Sequence, residues 1–160
     1  MKKSTIHPTY GLIEYEENVW TGKKSISING APLQKVSKKE YLLSVDGKPV
    51  SVTVRGSVMT GASLSIQGDE IQMVSKPTVL DWILGVFPFL VILVWGNNFQ
   101  LCSIVPVVGG AIGGALGGLG MALTVLAIRE KKLVFKFLIS ILATLATFAV
   151  GAAIAFMILA

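Results

Sequence analysis

Residues 101–128 form an unbroken run of 28 residues without a charged side chain. A helix crosses the hydrocarbon core of a bilayer with about 20 apolar residues at ~1.5 Å rise each. A run this long exceeds what the core of a small domain accommodates, and it predicts a membrane span. Two further tracts flank it. Residues 78–96 carry one charge, Asp81, at the mouth of the tract, where it can reach water and complement the positive end of a helix. Residues 133–159 carry one charge, Lys136, close enough to the start to snorkel outward. Trp82 and Trp95 bracket the first tract as interfacial aromatics, and Pro88 predicts a kink within it. The expectation is three spans, at about 78–96, 101–128 and 133–159.

Charge separates this half from the other. The chain is 14% charged, against about 25% for an ordinary soluble domain. Residues 1–76 hold ten Lys/Arg and seven Asp/Glu, and the remaining 84 residues hold only Asp81, Arg129, Glu130, Lys131, Lys132 and Lys136. The net charge of +5 does not indicate a nucleic-acid partner. The basic residues of the N-terminal half alternate with acids, and no basic stripe interleaves with aromatics. Arg129, Lys131, Lys132 and Lys136 instead set topology. Basic loops stay cytoplasmic, and the turn at 97–100 carries no charge. Three spans then place residues 1–76 in the cytoplasm and Ala160 outside, in a multi-pass protein of the plasma membrane. Lys2 and Lys3 are followed by no apolar run, so the N-terminus does not read as a secretory signal.

From Gly11 to Val74 the hydrophobic pattern has period two, as in Ser25-Ile26-Ser27-Ile28 and Val50-Ser51-Val52-Thr53-Val54. Asn29-Gly30 and Asp46-Gly47 are preferred two-residue hairpin turns, and Gly22 and Gly68-Asp69 mark two more. Strands are expected at 12–16, 24–28, 33–36, 41–45, 50–55 and 62–67, with 71–74 as a seventh. The fold class is therefore a small all-β domain, a sandwich or open barrel over 1–76, joined to three transmembrane helices over 78–160. A core of this size is marginal and leans on the membrane, a partner or a second copy.

Within the second tract, Gly109, Gly113 and Gly117 form one row of four-residue period, and Gly110, Gly114 and Gly118 form another. Rows without side chains let a second backbone approach closely. Residues Ala143, Thr147, Gly151 and Ala155 make a matching stripe on the third tract. The glycine rows are expected to pack on this stripe within one molecule. Self-association and a re-entrant, pore-type segment are the alternatives.

Chemistry-bearing motifs are sparse. His7 is the only histidine and lies near a terminus expected to be loose. Glu14, Glu16 and Glu17 read as a solvated strand edge rather than a metal site. Cys102 is the only cysteine and reads as an inert buried thiol. The nucleophile elbow, the phosphate loop and the acylation signals do not occur. No catalytic residue, cofactor or metal is expected.

Two stretches, Ile13-Glu14-Tyr15-Glu16 and Thr21-Gly22-Lys23-Lys24-Ser25-Ile26-Ser27-Ile28-Asn29-Gly30, resemble the repeat unit of the Fas apoptotic inhibitory molecule family. Residues 41–48 and 60–68 are similar to its later strands. The resemblance covers residues 12–74 and implies an all-β interaction module without catalytic residues. That family usually carries two such units, whereas one stands here. The whole layout also resembles small bacterial membrane proteins. The expected function is a non-enzymatic, membrane-tethered binding or regulatory protein. Its partners would be the lipid bilayer and a protein or second copy met through the β domain or the glycine face. The alternative is a subunit of an oligomeric channel or transporter assembled through the second span.

Overall fold

The computed structural model describes residues 1–45 and 48–160, and the expected Asp46-Gly47 turn lies outside the described residues. The chain divides into two compact units, Met1–Lys76 and Pro77–Ala160.

The first unit contains two antiparallel sheets. One has the order β1 (Lys2–His7), β2 (Gly11–Glu17), β3 (Lys24–Ile28) and β4 (Ala31–Pro32). The other has the order β5 (Gln34–Lys35), β6 (Glu40–Val45), β7 (Lys48–Ser57), β8 (Gly61–Ile66) and β9 (Asp69–Val74). Period two sends Ile13 and Tyr15 of β2, Ile26 and Ile28 of β3, Val52 and Val54 of β7, and Leu64 and Ile66 of β8 into the interior. Hydrogen bonds join the two sheets. The Tyr41 hydroxyl donates to Lys24 O at 3.0 Å, and Lys24 Nζ donates to Gly56 O at 2.5 Å.

The tight turns explain the registers. Asn29 and Gly30, both at positive φ, close the β3–β4 hairpin, in which Ile28 faces Ala31. The β8–β9 turn uses Gln67-Gly68, with φ of 51° and 97°, because Ile66 pairs with Asp69. This is one residue earlier than the Gly68-Asp69 turn expected. The N-terminus is not loose. Lys2–His7 is a full strand that pairs along β2 from Glu16 to Gly11. Its side chains alternate in exposure, but Lys3 and Thr5 stand on the half-buried face, so the apolar alternation that marks the other strands is missing.

The second unit contains α1 (Val79–Gly96), α2 (Phe99–Ile104), α3 (Gly110–Ile128) and α4 (Leu133–Leu159). Three of these, α1, α3 and α4, are long and apolar enough to cross a membrane. The tract expected as one span over 101–128 is broken. Pro106 has no amide hydrogen to donate, and the residue before a proline is driven toward extended backbone. Val105 accordingly adopts φ −137° and ψ 113°, and α2 stops there. The α3 helix begins only after Gly109.

Candidate functional site

The charged end of the helical unit is built from three helices. Thr78 caps α1, with its hydroxyl accepting from Asp81 N at 3.3 Å, and Asp81 Oδ2 accepts in return from Thr78 N at 2.8 Å. This reciprocal capping box satisfies two amides that the helix leaves open. It also fixes the carboxylate, leaving Oδ1 directed toward α4. Lys136 Nζ donates to that oxygen at 2.5 Å. Asp81 is fully buried and the Lys136 side chain is 12% exposed. Two expectations are thereby corrected. Asp81 does not reach water, and Lys136 turns inward instead of snorkelling out. Desolvating a carboxylate is costly unless a partner and further hydrogen bonds compensate it, and here both oxygens are occupied. One turn further along, Ser140 Oγ donates to Leu84 O at 2.7 Å, so two consecutive polar contacts tie α4 to α1. Arg129, at the C-terminal cap of α3, is buried, whereas Glu130, Lys131 and Lys132 are exposed.

Away from this end the seam is made of small residues. A Cβ on Gly117 would stand 3.0 Å from Phe89 Cα, and one on Gly113 would stand 2.4 Å from Val108 O and 3.2 Å from Ile92 Cγ2. Gly109 and Gly96 touch backbone to backbone. The row of Gly109, Gly113 and Gly117 therefore lies on α1 and on the segment preceding α3, not on α4 as expected. Geometry supplies the reason. The excursion through α2 returns to within contact of the end of α1, so α3 starts beside Gly96 and runs antiparallel to α1. The inner stripe of α4 meets the same helix from another side. Gly151 lies against Ile92, Val107 and Leu116, and Thr147 lies against Gly120. Thr147, Gly151 and Ala155 are buried, and Ala143 is half-buried. The second row is different: Gly110, Gly114 and Gly118 have no neighbour within 4 Å of an added Cβ.

The broken segment is held from inside the unit. Trp95 Nε1 donates to Val105 O at 2.9 Å, Val108 N donates to Gly151 O at 3.2 Å, and Cys102 Sγ donates to Trp95 O at 3.1 Å. Cys102 is a free thiol and is partly exposed rather than fully buried. Beside this segment, Phe99, Pro106, Val107, Ala155 and Leu159 line an open apolar groove of about 480 Å³.

In the β unit, Glu17 is a buried acid that sequence reasoning placed on a solvated edge. Its carboxylate accepts from the Tyr15 hydroxyl and from Val58 N, the latter at 2.8 Å. Burial raises the pKa of the Tyr15 phenol first, and the Glu17 carboxylate beside it raises it further. Glu14 is bound by Lys2 at 2.8 Å and by Ser27 at 2.9 Å. The hydrogen bond from Lys2 holds the Glu14 carboxyl below its usual range. His7 stacks on Tyr10 with ring centroids 4.9 Å apart. Among the described residues, no three His, Cys, Asp or Glu side chains converge as metal ligands would.

No family model matches the chain, and no curated protein or solved structure does so either.

Proposed function

We propose that this chain is a multi-pass membrane protein in which a cytoplasmic, non-enzymatic β module serves binding or regulation. The carrying observation is the outward face of the long helices. Ile83, Phe87, Leu90 and Val94 of α1, Ile112, Leu119 and Leu123 of α3, and Ile141, Leu145 and Phe156 of α4 are all exposed. Exposed apolar surface on this scale calls for a lipid surrounding. The interior supports the same reading. The spans' hydroxyls answer helix carbonyls: Thr124 bonds Gly120 O, Thr144 bonds Ser140 O and Thr147 bonds Ala143 O. The interaction module implied by the Fas apoptotic inhibitory molecule resemblance supports a binding role for the β unit. The basic residues Arg129, Lys131, Lys132 and Lys136 favour the cytoplasmic side for the loop and the β unit, and leave Ala160 outside.

The experiment is a pair of reporter fusions, after residue 76 and after residue 160, combined with alkaline carbonate extraction. Opposite sides and retention in the pellet are expected. Extraction into the supernatant would remove the membrane reading, and reporters on one side would remove the three-span count.

A channel or transporter subunit is the second reading. The observation favouring it is the open row of Gly110, Gly114 and Gly118 beside a non-helical stretch at 105–109. Disulfide crosslinking of Gly118→Cys in a Cys102→Ser background, together with ion flux from reconstituted vesicles, separates the two. Crosslinked pairs with flux favour the channel.

A further inference from the structure

The β unit has two unlike ends. The end from which the chain leaves is defined by register. Glu17 lies opposite Lys24, Ser57 opposite Gly61, and Ala62 opposite Val74. Lys24 Nζ on Gly56 O and Val58 N on Glu17 bring these strand ends together. The 36–39 turn belongs to the same end, because Lys39 O accepts from Val54 N at 2.7 Å. This end carries Lys23, Lys38, Lys39, Arg55 and Lys76, all exposed, with Lys24 half-buried among them. The exposed acids there are Glu16, Glu40 and Glu70; the Glu40 carboxylate is engaged by Ser51, and that of Glu70 by Ser63, which lies opposite Arg55. The opposite end holds the Asn29-Gly30 and Gln67-Gly68 turns, with exposed Asp69 beside the latter and exposed Lys48 at the start of β7.

At the basic end, the β2–β3 loop presents Trp20, 75% exposed, next to Val19 at 38%. The loop is ordered from within. Asn18 Oδ1 accepts from Trp20 N and Thr21 N at 3.0 Å each, and Asn18 N donates to Lys23 O at 2.9 Å. A large apolar ring held out at a hairpin tip costs solvation free energy in water. Indole partitions well to one environment in particular, the bilayer interface, where its ring is buried and its N–H stays hydrated. Basic side chains around it match the anionic headgroups of a cytoplasmic leaflet. Only Pro77 and Thr78 separate Lys76 from the first residue of α1, a reach of about 10 Å.

We propose that the end of the β unit carrying Trp20 among Lys23, Lys38, Lys39, Arg55 and Lys76 docks on the anionic headgroup surface of the bilayer. The inference rests on the membrane-spanning reading above. Docking then requires no search in solution, because the tether holds this end within reach of the surface. Each basic residue near an anionic surface contributes about five-fold to partitioning, so a few cations and one indole decide between docked and undocked states.

The test uses the full chain reconstituted in vesicles of phosphatidylcholine, with and without phosphatidylglycerol. A nitroxide at Thr21→Cys, in a Cys102→Ser background, reports collision with a water-soluble quencher and with membrane-dissolved oxygen. In anionic vesicles the label should be shielded from the aqueous quencher and exposed to oxygen. Replacing Lys23, Lys38 and Lys39 together by Gln should lower the docked-to-undocked ratio about a hundred-fold. Trp20→Ala should release the loop while the circular dichroism of the β unit is unchanged. These side chains are exposed, so neither variant disturbs the core. A label that stays fully open to the aqueous quencher in anionic vesicles, in a chain that resists carbonate extraction, overturns the docking and leaves the spans intact. Shielding of equal size in neutral vesicles overturns the assignment to anionic headgroups. Shielding that appears only on adding a soluble protein fraction assigns the face to a protein and overturns the proposal as well. Release of the chain by carbonate would instead bring down the membrane reading on which it rests.

Discussion

The Nζ of Lys136 lies 2.5 Å from Oδ1 of Asp81, across 55 residues of sequence and between the first turns of α1 and α4. Breaking a buried ion pair by removing one partner costs about 3–5 kcal/mol, because the remaining charge stays desolvated. Replacing both partners by neutral groups removes that penalty. Lys136→Met should therefore lower the unfolding free energy in detergent by that amount, and Asp81→Asn with Lys136→Met should recover most of it. Chemical unfolding followed by circular dichroism measures both. If the double variant loses as much as the single one, the pair contributes no buried charge worth compensating.

The two glycine rows should respond oppositely to the same substitution. Gly113 has Val108 O in the place a Cβ would take, whereas Gly114 has open space. Gly113→Leu and Gly117→Leu force α3 away from α1 and should cost at least about 1–3 kcal/mol. Gly114→Leu and Gly118→Leu should leave the monomer's melting temperature within a few degrees of the parent. Equal losses in both rows would show that the outer row is also covered, most directly by a second copy.

How much of this could be read from residues alone depends on the range of the signal. Asn29-Gly30 specifies its turn locally, since both residues tolerate positive φ, and the hairpin stands where the pair predicts it. Gln67 offers no such signal, and its φ of 51° is imposed by the β8–β9 register. Strand β1 was missed because its half-buried face carries Lys3 and Thr5 instead of apolar residues. The first-turn position of Asp81 was visible, because Thr78 stands three residues before it. Its partner was not, because nothing near Lys136 indicates which way a lone lysine turns. The break at 105–109 had a local marker, Pro106, which the length of the uncharged tract obscured. The choice of α1 as the partner of Gly113 was not written in the glycine spacing. It follows from Gly96 and Gly109, the two positions where the backbone returns on itself.

Burial holds the Tyr15 and Tyr41 phenols in their neutral forms, and both pKa values are raised. An unfolded tyrosine ionises near pH 10. A group whose folded pKa is raised contributes stability that is fully present below the unfolded pKa. That stability is lost as the pH rises from there through the folded value. The β unit should therefore be unaffected by these two residues at neutral pH and should weaken above about pH 10. Phenolate absorbance and the β-sheet circular dichroism should change together, in one cooperative step. Ionisation of all three tyrosines ahead of any loss of sheet would show that Tyr15 and Tyr41 are open to solvent in the folded state.

Trp95 closes the segment between α2 and α3 by donating its Nε1 hydrogen to Val105 O. The same tryptophan stacks edge-on against Phe148 of α4, with centroids 4.9 Å apart, so its ring is fixed from two sides. Trp95→Phe keeps an aromatic ring at that place and removes the donor. Val105 O then loses its bond in a poorly hydrated place, at a cost of about 1–3 kcal/mol. That cost falls on the local segment, because Gly96, Gly109 and Gly113 still hold α1 against α3. The expected result is local opening, not global unfolding. Cys102 reports it, since its thiol lies between Trp95 O and Val107 O and is already partly exposed. The rate of Cys102 modification by a small maleimide should rise about ten-fold or more if the opening free energy falls by 1.4 kcal/mol. The melting temperature should change far less. An unchanged labelling rate would mean that the other contacts of the segment, Val108 N on Gly151 O among them, hold it closed, and that the indole hydrogen bond is incidental to the break in the second apolar tract.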